Sequence, residues 1–261
     1  MNHPTIQRAV ELDDPKLAKD ALQEIEVLLR ASSDQEEKLY LLFSRANCYE
    51  ILGNFEEARV HLALALRERP DESSKTTFDF MQALFCQREE KYAEALERFT
   101  NVLTVHSEEL KRTETRLLYE DIQTRRAFLS VTLRKFQDAI PLLRETLSFE
   151  LSKELRSDVF ASLGLCHLEL KEYEPSRHSF LQSLELGLTN DWNWQGHFYL
   201  GIAYYYTNML REAKREFGQC EELATVHPLP IIDVYGWLSS TCKGLGEVSE
   251  AARYAGLSKC N

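Results

Sequence analysis

The side chains in this sequence that could take part in chemistry are seven histidines, six cysteines and several pairs of carboxylates. Histidines and cysteines at ligand spacing would hold a metal ion, and paired carboxylates in a pocket would act as general acid and base. The cysteines form no C-x-x-C pair, and H-E-x-x-H, G-x-S-x-G and G-x-x-x-x-G-K-[ST] do not occur. Acidic pairs such as Glu56-Glu57 fall beside turns, where solvation explains them. We therefore predict no enzymatic activity, no catalytic residues, no metal and no cofactor.

Five cysteines fall on helix faces that the sequence predicts to be packed, where a free thiol acts as a small apolar group: Cys48, Cys86, Cys166, Cys220 and Cys242. Unpaired cysteines fit a reducing compartment. The first residues lack a basic stretch followed by an apolar one, and no window approaches the roughly 18 apolar residues of a membrane span. These features predict a cytoplasmic protein that does not insert into a membrane.

The chain has 261 residues, 44% of them hydrophobic, and a formal net charge of −11. Nucleic-acid binding depends on lysines and arginines that neutralise phosphates. The densest basic pairs, Lys111-Arg112 and Arg125-Arg126, lie among glutamates and aspartates. This mixed charge is typical of a solvated surface, so we predict no nucleic-acid partner.

The spacing of apolar and small residues predicts pairs of helices. Leu200, Gly201 and Tyr204 lie three and four residues apart and so share one helix face. A polar break follows, and Ala213 and Phe217 then repeat the spacing on a second helix. One helix–turn–helix hairpin therefore covers this stretch.

The hairpin recurs along the chain. The small residue near the start of each second helix is found at Ala21, Ala58, Ala95, Ala139, Ser176, Ala213 and Ala251. Successive intervals are 37, 37, 44, 37, 37 and 38 residues. The interval of 44 predicts an insertion near His106 to Arg116. Because one hairpin cannot bury its apolar face alone, the hairpins are expected to stack on one another.

This pattern resembles the tetratricopeptide repeat, whose signature is W-x2-L-G-x2-Y, then A-x3-F, then P, with a period of about 34 residues. The L, G, Y, A and F positions are filled by Leu200, Gly201, Tyr204, Ala213 and Phe217. His197 stands at the W position and Thr225 at the P position. The resemblance implies an all-α, right-handed superhelical solenoid of about seven antiparallel helix–turn–helix repeats. His167 and His197 occupy positions that are usually aromatic, so we interpret both as packed, hydrogen-bonded imidazoles.

The intervals predict a single solenoid over residues 1–261. Its parts are a degenerate N-terminal capping repeat (1–35), repeats at 39–72, 76–109, 120–153, 157–190 and 194–227, and a C-terminal capping repeat (232–261).

A second apolar stripe lies beside the packed face of the first helices. Phe198, Ile202 and Tyr205 repeat at i, i+4 and i+7, although packing on one side needs an apolar arc of only about 100°. By resemblance, these positions point into a concave groove. The candidate partner-binding residues are Tyr40, Phe43, Asn47, Phe80, Leu84, Gln87, Arg88, Phe128, Val131, Leu165, Phe198, Ile202, Tyr205 and Tyr206.

The stripe has two interpretations. It grips an apolar or amphipathic segment of a partner protein, or neighbouring first helices use it to pack on one another. Under the first interpretation the protein is a non-catalytic scaffold or adaptor that binds a protein or peptide. The alternatives are a self-associating structural module that forms a homo-oligomer, and a regulatory sensor whose solenoid changes shape when a ligand enters the groove.

The resemblance also provides a test for one kind of partner. Family members that clamp C-terminal carboxylates use lysine with asparagine or arginine at groove positions. Here only Asn47 matches the asparagine, and Phe43 stands where a clamp lysine would lie. We therefore do not expect a clamp for C-terminal carboxylates.

Overall fold

The computed structural model describes residues 3–187, 193–224 and 234–258, and every regular element within these ranges is helical. The all-α prediction is confirmed. In chain order the helices are α1 (Pro4–Leu12), α2 (Pro15–Ala31), α3 (Gln35–Ile51), α4 (Phe55–Glu68), α5 (Glu72–Arg88), α6 (Tyr92–Val105), α7 (Ser107–Leu110), α8 (Arg116–Thr132), α9 (Phe136–Thr146), α10 (Lys153–Glu169), α11 (Tyr173–Leu186), α12 (Asn193–Tyr206), α13 (Leu210–Ala224), α14 (Val234–Gly244) and α15 (Val248–Leu257). A 3₁₀ turn, Thr113–Thr115, precedes α8.

The chain divides into two compact units, residues 1–125 and 126–261. In the first unit each helix from α1 to α6 packs on the next one, and α1 also contacts α3. Ile6, Ile25 and Leu41 are fully buried where α1, α2 and α3 meet. Leu62 and Phe85 fill the contact between the next two hairpins.

In the second unit each helix from α9 to α15 likewise packs on the next one. The first helices of successive hairpins also touch, because α12 contacts both α10 and α14. The core of this unit is built on Phe180, Leu200, Phe217 and Leu238, each at most 2% exposed.

The turns of the six hairpins that follow the first one share one geometry. A residue with a left-handed backbone ends the first helix at Gly53, Glu90, Arg134, Lys171, Asn208 and Gly246. Each lies five residues before the recurring small residue. The following amide donates to the carbonyl five residues earlier, for example Glu172 N to His167 O at 2.8 Å. This helix C-cap stops one helix and fixes where the next begins.

The recurring small residues lie at the packed contacts between helices. All seven, from Ala21 to Ala251, are buried. A Cβ added to Gly164 would lie 2.8 Å from the Phe180 ring, and one added to Gly201 would lie 2.7 Å from the Phe217 ring. The aromatic ring of the second helix therefore packs directly on the backbone of the first helix, where any side chain larger than that of glycine would collide with the ring.

The predicted insertion contains α7 and the 3₁₀ turn. His106, at its start, is buried, with Nδ1 2.7 Å from Glu72 Oε1 and Nε2 2.7 Å from Asp79 Oδ2. Leu110 is also buried. The insertion is therefore tied to α5 and packed within the first unit.

Candidate functional site

The first unit contains a cleft of about 540 Å³ between α3 and α5, which we call the α3–α5 cleft. Five of the candidate residues line it: Phe43, Asn47, Phe80, Leu84 and Arg88. All five come from the first helices of two successive hairpins, and all are half-buried or exposed. The stripe on these helices therefore lines an open surface.

Charged groups form one end of the α3–α5 cleft. Arg88 donates from Nη2 to Asp13 Oδ2 at 3.0 Å, and its Nε lies 2.8 Å from Glu50 Oε1. Burial raises the pKa of the Glu50 carboxyl, and the charge of Arg88 offsets part of that effect. Arg125 also lines the cleft and donates to Asp121 Oδ2 at 3.0 Å. Arg88 is thus already neutralised by two carboxylates.

Sequence reasoning missed several polar residues of this cleft, among them Asp13, Glu50, Thr77 and Arg125. Helical spacing could have found two of them. Glu50 lies three residues after Asn47, and Thr77 three before Phe80, so each falls on the face of a residue that was identified. The candidate set followed the positions equivalent to the apolar stripe, and these residues fall beside those positions.

The second unit contains a smaller cleft of about 310 Å³, the α10–α12 cleft. Phe128, Val131 and Leu165, all candidate residues, line it together with Phe180 and Tyr199. Phe180 is 2% exposed and forms the floor, where its ring stacks on Tyr199 with centroids 5.8 Å apart. The cleft thus has apolar and aromatic walls.

Four polar side chains outside the predicted set also line the α10–α12 cleft: Thr132, Asp158, Ser162 and Gln195. Burial raises the pKa of the Asp158 carboxyl, and the charge of Glu154 adds to the effect. The Oε1 atom of Gln195 is buried and has no hydrogen-bond partner in the described part of the chain. Asp158 and Ser162 precede Leu165 by seven and three residues, on the same helix face.

Two candidate residues of the first unit lie outside both clefts. The Tyr40 ring stacks on His3, with centroids 5.9 Å apart. Gln87 accepts a hydrogen bond from Arg125 Nη1 at 3.3 Å. Both side chains are therefore engaged within the first unit.

The four candidate residues on α12 also lie outside both clefts. Phe198 is only 6% exposed and packs edge-on against Phe217, so it belongs to the core. Ile202 and Tyr205 pack beside that core, and the exposed Tyr206 stacks on Tyr173 with centroids 4.4 Å apart. On α12 these side chains therefore pack against both second helices and a neighbouring first helix, since Tyr205 also meets Trp237 of α14 edge-on with centroids 5.3 Å apart.

The α12 residues in the cleft are Gln195, Gly196 and Tyr199 rather than the selected stripe. Tyr199 differs from Phe198 by one position, or about 100° around the helix axis. Because α12 is apolar on nearly all sides, the apolar pattern alone did not distinguish these faces.

The two histidines interpreted as packed are hydrogen-bonded to glutamates. His167 is buried, with Nδ1 2.6 Å from Glu172 Oε2. His197 Nδ1 lies 2.8 Å from Glu216 Oε2. Five cysteines are free and buried, as predicted. Cys260, and Thr225 at the P position of the motif, lie outside the described residues.

The fold brings together one set of side chains that sequence spacing did not suggest as metal ligands: Cys242, Glu247 and Glu250. Lys214 Nζ donates to Glu247 Oε2 at 2.7 Å and to Glu250 Oε2 at 2.6 Å. Burial raises the pKa of the Cys242 thiol to about 11, which opposes the thiolate form that binds metals. Lys214, Glu247 and Glu250 therefore form an ion-pair network between α13 and α15.

None of the helices in the described ranges is both long and apolar enough to cross a membrane.

Comparison with known proteins supports the fold. A family model for the tetratricopeptide repeat matches residues 39–72. No curated protein sequence matches the chain. Among solved structures, the apo form of RapI is 14% identical, with a TM-score of 0.73 over 95% of this chain and 72% of that one. The C-terminal part of a TPR repeat-containing protein from Cytophaga hutchinsonii is 15% identical, with a TM-score of 0.66 over 95% and 91%.

A third solved structure, pilF from Pseudomonas aeruginosa, is 18% identical, with a TM-score of 0.57 over 84% of this chain and 90% of that one. At these identities the likeness shows the fold. The residues that fill the repeat signature, the 39–72 match and this likeness agree: the chain has a helical-repeat fold similar to that of tetratricopeptide repeat proteins, and residues 39–72 match one such repeat.

Proposed function

We propose that this protein is a non-catalytic scaffold or adaptor that binds an apolar or amphipathic segment of another protein in the clefts on its first helices. Helical-repeat proteins in general use such surfaces to bind protein partners. The observation that carries the proposal is the α3–α5 cleft, where Phe43, Phe80 and Leu84 are left partly uncovered. Phe43 and Phe80 also pack against the core, so their uncovered faces are what a partner would contact.

The shape and chemistry of the α3–α5 cleft fit a peptide. Its volume of about 540 Å³ lies within the range of roughly 300–1,000 Å³ of sites that hold compact ligands. Aromatic side chains supply anchoring area at low entropic cost, while Asn47 and Thr77 offer hydrogen bonds. A helix or an extended segment with two apolar anchors would satisfy both features.

The proposal is tested by panning a phage-displayed library of 12-residue peptides on the immobilised full chain. Enriched peptides are then made synthetically, and their dissociation constants are measured by fluorescence anisotropy. Phe80→Ala is expected to weaken binding at least tenfold, because a central aromatic anchor contributes about 2 kcal/mol or more. Phe43→Leu, a milder change that preserves packing, is expected to weaken it less.

The matched control is Val60→Ala. Val60 is an apolar residue on the second helix α4, 52% exposed and outside both clefts, so its replacement should leave affinity unchanged. Circular dichroism would confirm that each variant retains its helices. If no peptide is enriched, or if Phe80→Ala binds every enriched peptide as tightly as the unaltered chain does, the proposed use of the α3–α5 cleft is wrong.

A further inference from the structure

The α10–α12 cleft contains two acceptor groups that the described part of the chain leaves without partners. The Asp158 carboxylate forms no hydrogen bond and no ion pair there, and the charge acting on it is that of Glu154, another carboxylate. Gln195 lines the same cleft, and its buried side-chain oxygen likewise has no donor among the described residues. Partly buried acceptors are costly to leave unsatisfied. A ligand that donates hydrogen bonds would therefore be favoured here.

Among ligands that donate hydrogen bonds, the negative charge of the cleft favours a cation. A neutral amide or hydroxyl group could donate to Gln195, but it would leave the negative charge of Asp158 uncompensated. An anion would be repelled by both Asp158 and Glu154. An ammonium or guanidinium group supplies several donors and the missing positive charge together.

The walls of the cleft fit the rest of a basic side chain. Lysine and arginine carry apolar stems that pack along hydrophobic surface while the charged head reaches a polar group. Phe128, Leu165 and Tyr199 provide that surface. Aromatic faces also attract a cation held above them. With about 310 Å³, the cleft is near the lower limit for a ligand site and suits one or two side chains.

We infer that the α10–α12 cleft binds a lysine or arginine side chain of a partner peptide, with Asp158 and Gln195 receiving its charged head. The inference rests on the proposed peptide-binding function and specifies its partner. That partner is a segment in which a basic residue is flanked by apolar ones.

The test compares two library selections, one on the unaltered full chain and one on Asp158→Asn. The selection on the unaltered chain is expected to enrich peptides with lysine or arginine between apolar residues, and Asp158→Asn is expected to lose that enrichment. If enriched peptides lack a basic residue, or if Asp158→Asn enriches the same basic peptides, the inference is overturned while peptide binding stands. If neither selection enriches any peptide, the proposed function itself fails and the inference fails with it.

A selected basic peptide then provides a quantitative test by fluorescence anisotropy. Asp158→Asn should raise its dissociation constant about tenfold or more, and replacing the basic residue of the peptide by leucine should cause a similar loss. The two changes together should raise the dissociation constant little more than either change alone, because both remove the same interaction. If the two losses of affinity multiply, Asp158 does not bind the basic residue of the peptide and the inference is overturned.

Two further variants serve as controls. Glu154→Gln removes the same charge one helical turn away, from an exposed residue outside the cleft, and should change affinity less than about twofold. Gln195→Glu adds a second carboxylate and should tighten binding of the basic peptide.

Spermidine and free arginine amide serve as competitors. If they bind as tightly as the peptide, the cleft is a site for small amines and the inferred peptide partner is wrong.

Discussion

Glu216 shows how a single buried carboxylate is stabilised in this fold. It is only 5% exposed and lies 2.8 Å from His197, while Arg215 donates to its other oxygen at 2.9 Å. Burial alone would raise its pKa, but the hydrogen bonds and charges of His197 and Arg215 outweigh burial, so the pKa lies below its ordinary value. The carboxylate therefore favours the folded state when it is ionised.

This lowered pKa predicts a pH-dependent effect of Glu216→Gln. A depressed carboxyl pKa contributes stability above the unfolded-state pKa of about 4.3, and the contribution is lost as the pH falls through the lower folded-state pKa. We expect the variant to be less stable by about 1–3 kcal/mol at pH 7, with the gap narrowing below about pH 4.

Urea unfolding of the unaltered protein and of Glu216→Gln between pH 7 and pH 3.5 measures this difference in the free energy of unfolding. Glu212→Gln, one turn earlier on α13, removes a charge that has neither of these two donors and should have a smaller effect. If the stability difference between Glu216→Gln and the unaltered protein stays constant across the whole pH range, the lowered pKa of Glu216 is contradicted.

The cysteines give a second prediction at this scale. Burial raises the pKa of Cys166 and Cys220 to about 12 and that of Cys48 to about 11, and it also raises the pKa of Cys86. Since the thiolate is the reactive form, these groups and Cys242 should be inert in the folded protein at pH 8. With 5,5′-dithiobis(2-nitrobenzoic acid), at most one thiol per chain should react quickly, and all six should react in denaturant. Two or more fast thiols before denaturation would refute the packing described here.

Burial of individual residues was largely predictable from the sequence. The recurring small residues and five cysteines are buried because helical spacing places them on the packed face. The candidate-site residues were harder to predict. Phe198 is a core residue and Tyr199 lines a cleft, although both are aromatic and adjacent. Which of the two is covered depends on the rotation of α12 against α10 and α14, and that rotation is a tertiary property.

Among the elements, two hairpins place a glycine of the first helix beneath an aromatic ring of the second, Gly164 beneath Phe180 and Gly201 beneath Phe217. Gly201→Ala would place a Cβ 2.7 Å from the Phe217 ring, and this ring is fully buried and cannot move aside freely. We expect the free energy of unfolding to fall by about 1–3 kcal/mol, as overpacked cores do. Chemical denaturation monitored by circular dichroism at 222 nm would measure the loss.

Gly218→Ala is the matched control for this change. Gly218 lies inside α13, but a Cβ built on it meets no atom within 4 Å. Alanine should therefore stabilise the helix by roughly 0.5–1 kcal/mol. If both variants shifted stability in the same direction, close approach of α12 and α13 would not be the reason for glycine at position 201.

The helices, their turns and the insertion could be predicted because each depends on local residues. The 44-residue interval correctly indicated extra structure near His106, which α7 and the 3₁₀ turn now occupy. The clefts could be predicted only in part. Phe43 and Phe80 lie on the apolar stripe, but whether Asp158 finds a partner among the described residues depends on which groups surround it in the folded unit. Sequence spacing carries no information about that environment.

For the molecule as a whole, the two compact units each contain a cleft with its own chemistry. The α3–α5 cleft is larger and its charged end is already paired within the chain, as Arg88 shows. The α10–α12 cleft is smaller, and the Asp158 carboxylate in it has no ion-pair partner among the described residues. The proposals assign an apolar anchor of a partner to the α3–α5 cleft and a basic side chain to the α10–α12 cleft. Self-association and a ligand-driven change of shape remain alternatives, and light scattering with and without peptide distinguishes them.

The most direct test of the central claim is to locate a bound peptide on the protein. A photo-cross-linking amino acid is introduced in place of Thr77 in the α3–α5 cleft, Thr132 in the α10–α12 cleft, or Val60 on the exposed face of α4. A biotinylated peptide from the selection is then irradiated with each protein, and cross-linked chain is quantified by blotting. Cross-links from position 77 or 132, with none from position 60, are the expected result. Efficient cross-linking from position 60, with positions 77 and 132 silent, would contradict the use of the first-helix clefts.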